Sequence, residues 1–85
     1  MSSLSDQCAL LREVQERIDN SGPILYLPSV QFLELQAIAG RYGEYTSYIA
    51  NNGDYMSKIG LSTARLIFED AKLRVADRLA KLVAS

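Results

Sequence analysis

The sequence predicts an all-α protein, a helical hairpin or three-helix bundle that forms a single helical domain over residues 1–85. Apolar residues recur three, four and seven positions apart in the segments 4–19, 29–51 and 55–84, and this spacing is typical of amphipathic helices. Clusters of Gly, Pro, Asn and Ser separate the three segments. The length allows one domain only, and 48% hydrophobic with 22% charged residues is the composition of a globular chain.

The first predicted helix covers about residues 4–19. Ser3 or Ser5 can cap its N-terminus, and Asp6 lies in the first turn, where the helix dipole favours an acidic side chain. Gly22 suits the left-handed position that often follows the last turn of a helix. The apolar stripe of this helix consists of Leu4, Leu10, Leu11, Val14 and Ile18.

The connector over residues 22–28 is unusually apolar for a link between helices. Between two prolines it carries four apolar residues, Ile24, Leu25, Tyr26 and Leu27. Burying one large apolar side chain stabilises a fold by about 1.5–3 kcal/mol, whereas four exposed ones would favour aggregation. We therefore predict that the connector is a packing segment, which either caps one end of the bundle or docks on a second copy or another protein.

The second predicted helix covers about residues 29–51, with Ser29 as its N-cap and the turn at residues 51–54 after it. Gly40 and Gly43 lie inside this helix, where each costs about 1 kcal/mol relative to alanine. We predict that they line a groove of small residues for close contact with another helix; the alternatives are a kink or break, and a ligand that approaches the backbone. The apolar seam consists of Leu35, Ile38, Tyr42, Tyr45 and Ile49.

The third predicted helix, over about residues 55–84, carries two apolar stripes on nearly opposite sides. The first stripe consists of Leu61, Ala64, Phe68, Ala71, Val75, Leu79 and Leu82. The second stripe has seven-residue spacing and consists of Ile59, Leu66, Leu73 and Ala80. A helix with two apolar stripes must be covered from both sides, and two shorter helices leave little surface to do so.

This excess of apolar surface predicts a non-enzymatic structural or assembly protein, a small helical subunit that self-associates through its C-terminal helix. The alternative is a small adaptor, chaperone or inhibitor that presents the same face to a larger protein. The partners we expect are therefore copies of the chain itself, a larger protein assembly, or both. The predicted interface residues are Leu25, Tyr26, Leu27, Gly40, Gly43, Tyr45, Ile59, Leu66 and Leu73.

The sequence offers no pattern of residues for catalysis, cofactor binding or metal binding. It contains no histidine, which is the commonest general base and metal ligand. Its single cysteine, Cys8, cannot form an internal disulfide, and the N-terminus lacks the basic start of a signal peptide. No apolar run is long enough to span a membrane. We therefore predict no catalytic residue, no cofactor, no metal, no membrane span, and a cytoplasmic or intracellular location.

Charge is unevenly distributed along the chain. Residues 1–54 hold three basic and seven acidic side chains, and residues 55–85 hold six basic and three acidic ones, so the net charges are −4 and +3. Because Glu69, Asp70 and Asp77 interrupt the basic segment, we attribute the asymmetry to attraction between the halves and expect no nucleic-acid partner. A DNA-binding regulator with a helix-turn-helix, built from the second helix, the turn and the third helix, is the weaker alternative.

Two short motifs resemble the needle subunits of type III secretion systems. These are "YTSYIANN" over residues 45–52 and "SKIG" over residues 57–60, in a chain of similar length with a helix–proline loop–helix plan. The resemblance implies a helical hairpin that packs into a filament.

Overall fold

The computed structural model describes residues 2–84, which form three helices and a three-stranded antiparallel sheet. The all-α prediction is therefore wrong, and the fold is α+β. Met1 and Ser85, the ends of the predicted domain, lie outside the described residues. The elements in chain order are α1 (Leu4–Asp19), β1 (Ile24–Pro28), α2 (Ser29–Ala39), β2 (Thr46–Ile49), β3 (Tyr55–Gly60) and α3 (Leu61–Ala84).

Helix α1 has the predicted bounds, and Ser3 is its N-cap. The Ser3 hydroxyl accepts a hydrogen bond from the Asp6 N–H, and the Asp6 carboxylate accepts one from the Ser3 N–H, which completes a capping box. The helix does not end through Gly22. Its C-cap is Asn20, whose N–H and side-chain amide both donate to the Glu16 carbonyl.

The apolar connector is strand β1, not a loop at the end of a bundle. Pro28 disfavours helical backbone at Leu27, and the β-branched and aromatic side chains favour an extended chain. Extended backbone points successive side chains to opposite faces, so Leu25 and Leu27 are buried while Ile24 and Tyr26 face solvent. The connector thus packs as predicted, but half of it packs within its own chain.

Helix α2 ends at Ala39, twelve residues before the predicted end. Gly40 adopts a left-handed conformation with φ of 65°, and its N–H donates to the Gln36 carbonyl, so the glycine ends the helix. Ser29 does not cap the helix; its hydroxyl is 2.8 Å from that of Ser57 in β3. Leu35 and Ile38 of the predicted apolar seam are buried residues of α2. The other three, Tyr42, Tyr45 and Ile49, lie beyond the end of the helix.

Strands β2 and β3 form a hairpin where the sequence predicted the end of one helix and the start of the next. The turn at residues 51–54 reverses the chain: Gly53 has φ of 88°, and the Ala50 N–H donates to the Asp54 carbonyl at 2.8 Å. Because these residues join two strands, they do not form the helix-turn-helix on which the DNA-binding alternative depended. The resemblance to needle subunits implies a helical hairpin. The structure contradicts that implication, because both motifs lie largely in strands.

Strand β3 is the central strand, between β1 and β2. In register, Tyr26 lies opposite Lys58 on β3, and Lys58 lies opposite Thr46 on β2. One face of the sheet packs on the helices, and the other faces solvent. The buried apolar core consists of Leu10, Val14, Ile18, Leu25, Leu27, Phe32, Leu35, Ile38, Ala39, Ile59, Ala64, Ile67, Phe68, Ala71 and Val75.

Helix α3 extends beyond this core. Its last buried residue is Val75, and residues 76–84 are all exposed. The described residues measure 47 × 24 × 22 Å, and a helix of nine residues is about 13 Å long, so the exposed end accounts for much of the elongation.

Candidate interaction surface

An exposed surface with apolar residues at regular spacing runs along α3, on the side away from the core. We call it the outer stripe. Leu66 is 58% exposed, Leu73 69% and Val83 87%. At 100° per residue, Leu66 and Leu73 lie about half a turn from Ala64, Ala71 and Val75, which face the core, and Val83 lies about a quarter to a third of a turn from them. The outer stripe consists of Leu66, Glu69, Leu73, Ala76, Ala80 and Val83.

The outer stripe has the spacing of a coiled-coil seam. Leu66, Leu73 and Ala80 repeat every seven residues, and the other three follow each of them by three positions, which gives the a and d positions of a heptad. Glu69 is the one charged member. Its carboxylate is 3.3 Å from the Lys72 ammonium of its own chain, one turn further along the helix.

Charges of opposite sign line the two edges of the outer stripe. Arg65 and Lys72 follow one edge and occupy g positions, whereas Asp70 and Asp77 follow the other and occupy e positions. This arrangement is the usual one for coiled-coil partners, in which g residues of one helix contact e residues of the other.

Two polar contacts fix α3 on the rest of the chain. Arg41, in the loop after α2, forms an ion pair with Asp70. Arg78 donates a 2.7 Å hydrogen bond to the side-chain oxygen of Gln7, a buried residue of α1. These contacts hold the core side of α3 in place, so the outer stripe has a defined orientation.

Of the nine predicted interface residues, three belong to the core of the single chain. Leu25, Leu27 and Ile59 are at most 2% exposed, so they cannot contact a second protein in this fold. Leu66 and Leu73 are exposed on the outer stripe. The second apolar stripe predicted for the third helix therefore does not form one surface. Its first residue, Ile59, lies in β3 and is buried, whereas Leu66 and Leu73 lie on α3 and are exposed.

The two predicted glycines act within the chain rather than in a helix groove. Gly40 ends α2, as described above. Gly43 lies against α3: a Cβ atom at this position would be 2.5 Å from the Thr63 Cγ2 atom and 3.2 Å from the Ile67 Cδ1 atom. The Gly43 N–H also donates to the buried side chain of Gln36 at 2.9 Å. Gly43 thus allows another helix to approach the backbone closely, but that helix is α3 of the same chain.

The two predicted tyrosines are partly exposed. Tyr45 is 42% exposed and packs its ring edge-on against Phe32, with 5.0 Å between centroids. Tyr26, on the solvent face of the sheet, is 46% exposed and makes an edge-to-face contact with Tyr48 at 6.3 Å. Sequence reasoning missed Tyr48 as a surface residue of a sheet, because the spacing of its neighbours also fits a helix.

Residues 2–84 contain no group of three or more Cys, Asp or Glu side chains that could hold a metal ion. Cys8 is half-buried beside the core. A surface depression of about 530 Å³ lies between the loop before β2 and the neighbouring ends of β1 and β3. It is open to solvent and is lined by backbone, by apolar groups and by Glu44 and Lys58.

No described helix combines the length and hydropathy that crossing a membrane requires.

No protein-family model, curated protein or solved structure matches this chain.

Proposed function

We propose that this protein is a non-enzymatic assembly subunit that self-associates through the outer stripe of α3. The observation that carries this proposal is the exposure of Leu66 and Leu73 at heptad spacing on a helix whose opposite side is already packed. Exposed apolar stripes of this kind mark protein interaction sites. Because the core side and the outer stripe lie on opposite sides of α3, two copies can meet along α3 with their sheets on the outside.

The charges at the edges of the stripe favour a parallel pair of α3 helices. In a parallel pair, g residues of one helix lie beside e residues of the other, five positions on. Arg65 then approaches Asp70 of the second copy, and Lys72 approaches Asp77. In an antiparallel pair, e residues face e residues, which would bring aspartates together. A second copy of the same chain therefore complements this surface.

Cross-linking tests the proposed contact and its orientation. Ala76→Cys, in a Cys8→Ser background, places a thiol on the outer stripe, and Lys81→Cys in the same background places one on a neighbouring side of α3. We expect mild oxidation to link two copies through position 76 but not through position 81, because disulfides form only when Cβ atoms come within about 4.5 Å. Equal yields at both positions would contradict the parallel contact.

Glu69→Leu should strengthen the association. A charged residue at a seam position costs a coiled coil stability, and a leucine adds apolar surface that is buried only on pairing. We expect the dissociation constant to fall by about tenfold or more, which corresponds to about 1.4 kcal/mol. Glu16→Leu is the control, since Glu16 is an exposed acid on α1 and not on the outer stripe. An unchanged dissociation constant for Glu69→Leu would place the contact elsewhere.

We further propose an intracellular location, which the single cysteine supports, because small secreted domains commonly depend on disulfides. The second candidate function is an adaptor or inhibitor that offers the same stripe to a different protein. The presence of Glu69 in the stripe favours it, because a basic residue of another protein would match this position better than a second Glu69 does. Cross-linking of position 76 to a copy of the chain distinguishes the two.

A further inference from the structure

The two edges of the sheet differ in how their outward backbone groups are satisfied. The Leu61 N–H donates to the Pro23 carbonyl at 2.9 Å, so the residues of β1 that bond to β3 are the odd-numbered ones, Leu25 and Leu27. The carbonyls of Ile24 and Tyr26 therefore point outward. Both find partners, because the Ser21 hydroxyl donates to Ile24 at 3.0 Å and Arg17 donates to Tyr26 at 3.4 Å.

The outward backbone groups of strand β2 have no such side-chain partners in the described residues. Successive residues of β3 bond alternately to its two neighbours, so Met56 and Lys58 bond to β2, through Tyr48 and Thr46. The N–H and C=O groups of Ser47 and Ile49 consequently point away from the sheet. Within residues 2–84, no hydrogen bond to these outward groups is formed, and every residue of β2 is exposed.

The four-residue strand β2 and the residues around it lack the charges and prolines that often protect an edge strand. Natural edge strands carry charges, prolines or bulges that discourage pairing with another chain. Here residues 45–53 contain neither a charged residue nor a proline, and the nearest charges are Glu44 and Asp54. An exposed, uncharged edge strand is a template for one more strand.

We propose that β2 pairs antiparallel with β2 of a second copy and joins two sheets into one of six strands. With Tyr48 opposite Tyr48, the outward groups of Ser47 meet those of Ile49 of the second copy, and the four hydrogen bonds of two narrow pairs can form. In this register Thr46 lies opposite Ala50, and residues 46–50 carry no charge, so no like charges face one another within the contact. The edge is therefore complementary to itself.

The solvent face of the sheet agrees with this register. Tyr26 and Tyr48 already make an edge-to-face contact across β3. Pairing through β2 brings two copies of Tyr48 side by side on that face, and aromatic pairs on neighbouring strands stabilise a sheet. The result is a row of four tyrosines across the joined sheets.

This contact goes beyond the α3 contact, and each can fail without the other. A chain with two different self-complementary contacts forms an open chain of subunits or a closed ring rather than a simple dimer. The β2 contact is therefore tested in the variant Leu66→Glu, Leu73→Glu, in which we expect the α3 contact not to form.

In that background, we expect the Ser47 and Ile49 amides to gain protection from hydrogen exchange as protein concentration rises into the millimolar range. The Thr46 and Tyr48 amides bond to β3 already and should change little. Adding Ser47→Lys and Ile49→Lys places like charges opposite one another and should weaken the pairing by about tenfold or more. Adding Ser47→Lys and Ile49→Glu places opposite charges in the same positions and should preserve it.

Concentration-independent exchange at Ser47 and Ile49 would overturn the proposal, as would equal weakening by the two charge patterns. Protection that appears only on addition of an unrelated extended peptide would also overturn it, because the occupant would then be a different protein.

Discussion

The double variant Leu66→Glu, Leu73→Glu should be monomeric at micromolar concentrations at which the unmodified chain is a dimer. The substitutions place four carboxylates in the proposed contact, where each would lose water without a partner, and such a loss costs several kcal/mol. Both positions are exposed in the single chain, so the fold itself should be retained. Light scattering after size exclusion measures the mass, and circular dichroism measures the helical content.

The matched control is Val30→Glu, Leu33→Glu on α2. These residues are 72% and 53% exposed and three positions apart on one helix, so the change in charge and hydrophobicity is similar. We expect this control to remain a dimer. Dissociation of both double variants, or of neither, would show that the effect does not depend on the outer stripe.

Leu27→Ala should strongly destabilise the fold, because the leucine that looks like part of a linker is completely buried in β1. Removing a buried leucine side chain costs about 2–5 kcal/mol, through lost burial and the cavity that remains. Urea unfolding should show a lower midpoint with an unchanged slope. The measurement is made in the monomeric double variant, so that dissociation does not add to unfolding.

Leu33→Ala is the control, because it is the same substitution at an exposed position of α2. Surface substitutions usually change stability by less than about 0.5 kcal/mol. If Leu27→Ala proves as mild as Leu33→Ala, strand β1 does not pack as described.

The sequence predicts α1 well because local signals agree there. Ser3 and Asp6 supply a capping box, the apolar spacing fits only a helix, and no glycine intervenes. Local consistency of this kind makes a helix predictable without knowledge of its neighbours.

The sequence misleads between residues 40 and 60 because two periods overlap. Tyr42, Tyr45 and Ile49 fit a helical spacing. The strands in this segment are too short for the two-residue alternation of a strand to stand out against that spacing. The sequence predicts that both glycines line a groove inside a helix, whereas Gly40 ends the helix with a left-handed backbone, which is the alternative of a break. Strand pairing between β1 and β3 depends on residues 28 to 36 positions apart, and no local pattern reveals such a contact.

For the candidate surface, the prediction was partial. The heptad spacing of Leu66 and Leu73 singled out an exposed stripe, because helix periodicity is reliable in a long helix such as α3. The same reasoning could not separate them from Ile59, since the boundary between β3 and α3 was missed. The open edge of β2 could not be predicted either, because an edge is defined only once the strands of the sheet and their pairing are known.

The molar mass of the unmodified chain by sedimentation equilibrium tests the central claim most directly, because the outer stripe is proposed to bring copies of α3 together. We predict a reversible association that yields twice the mass of one chain at micromolar concentration and larger species as concentration rises. A single species with the mass of one chain, maintained up to millimolar concentration, would contradict self-association.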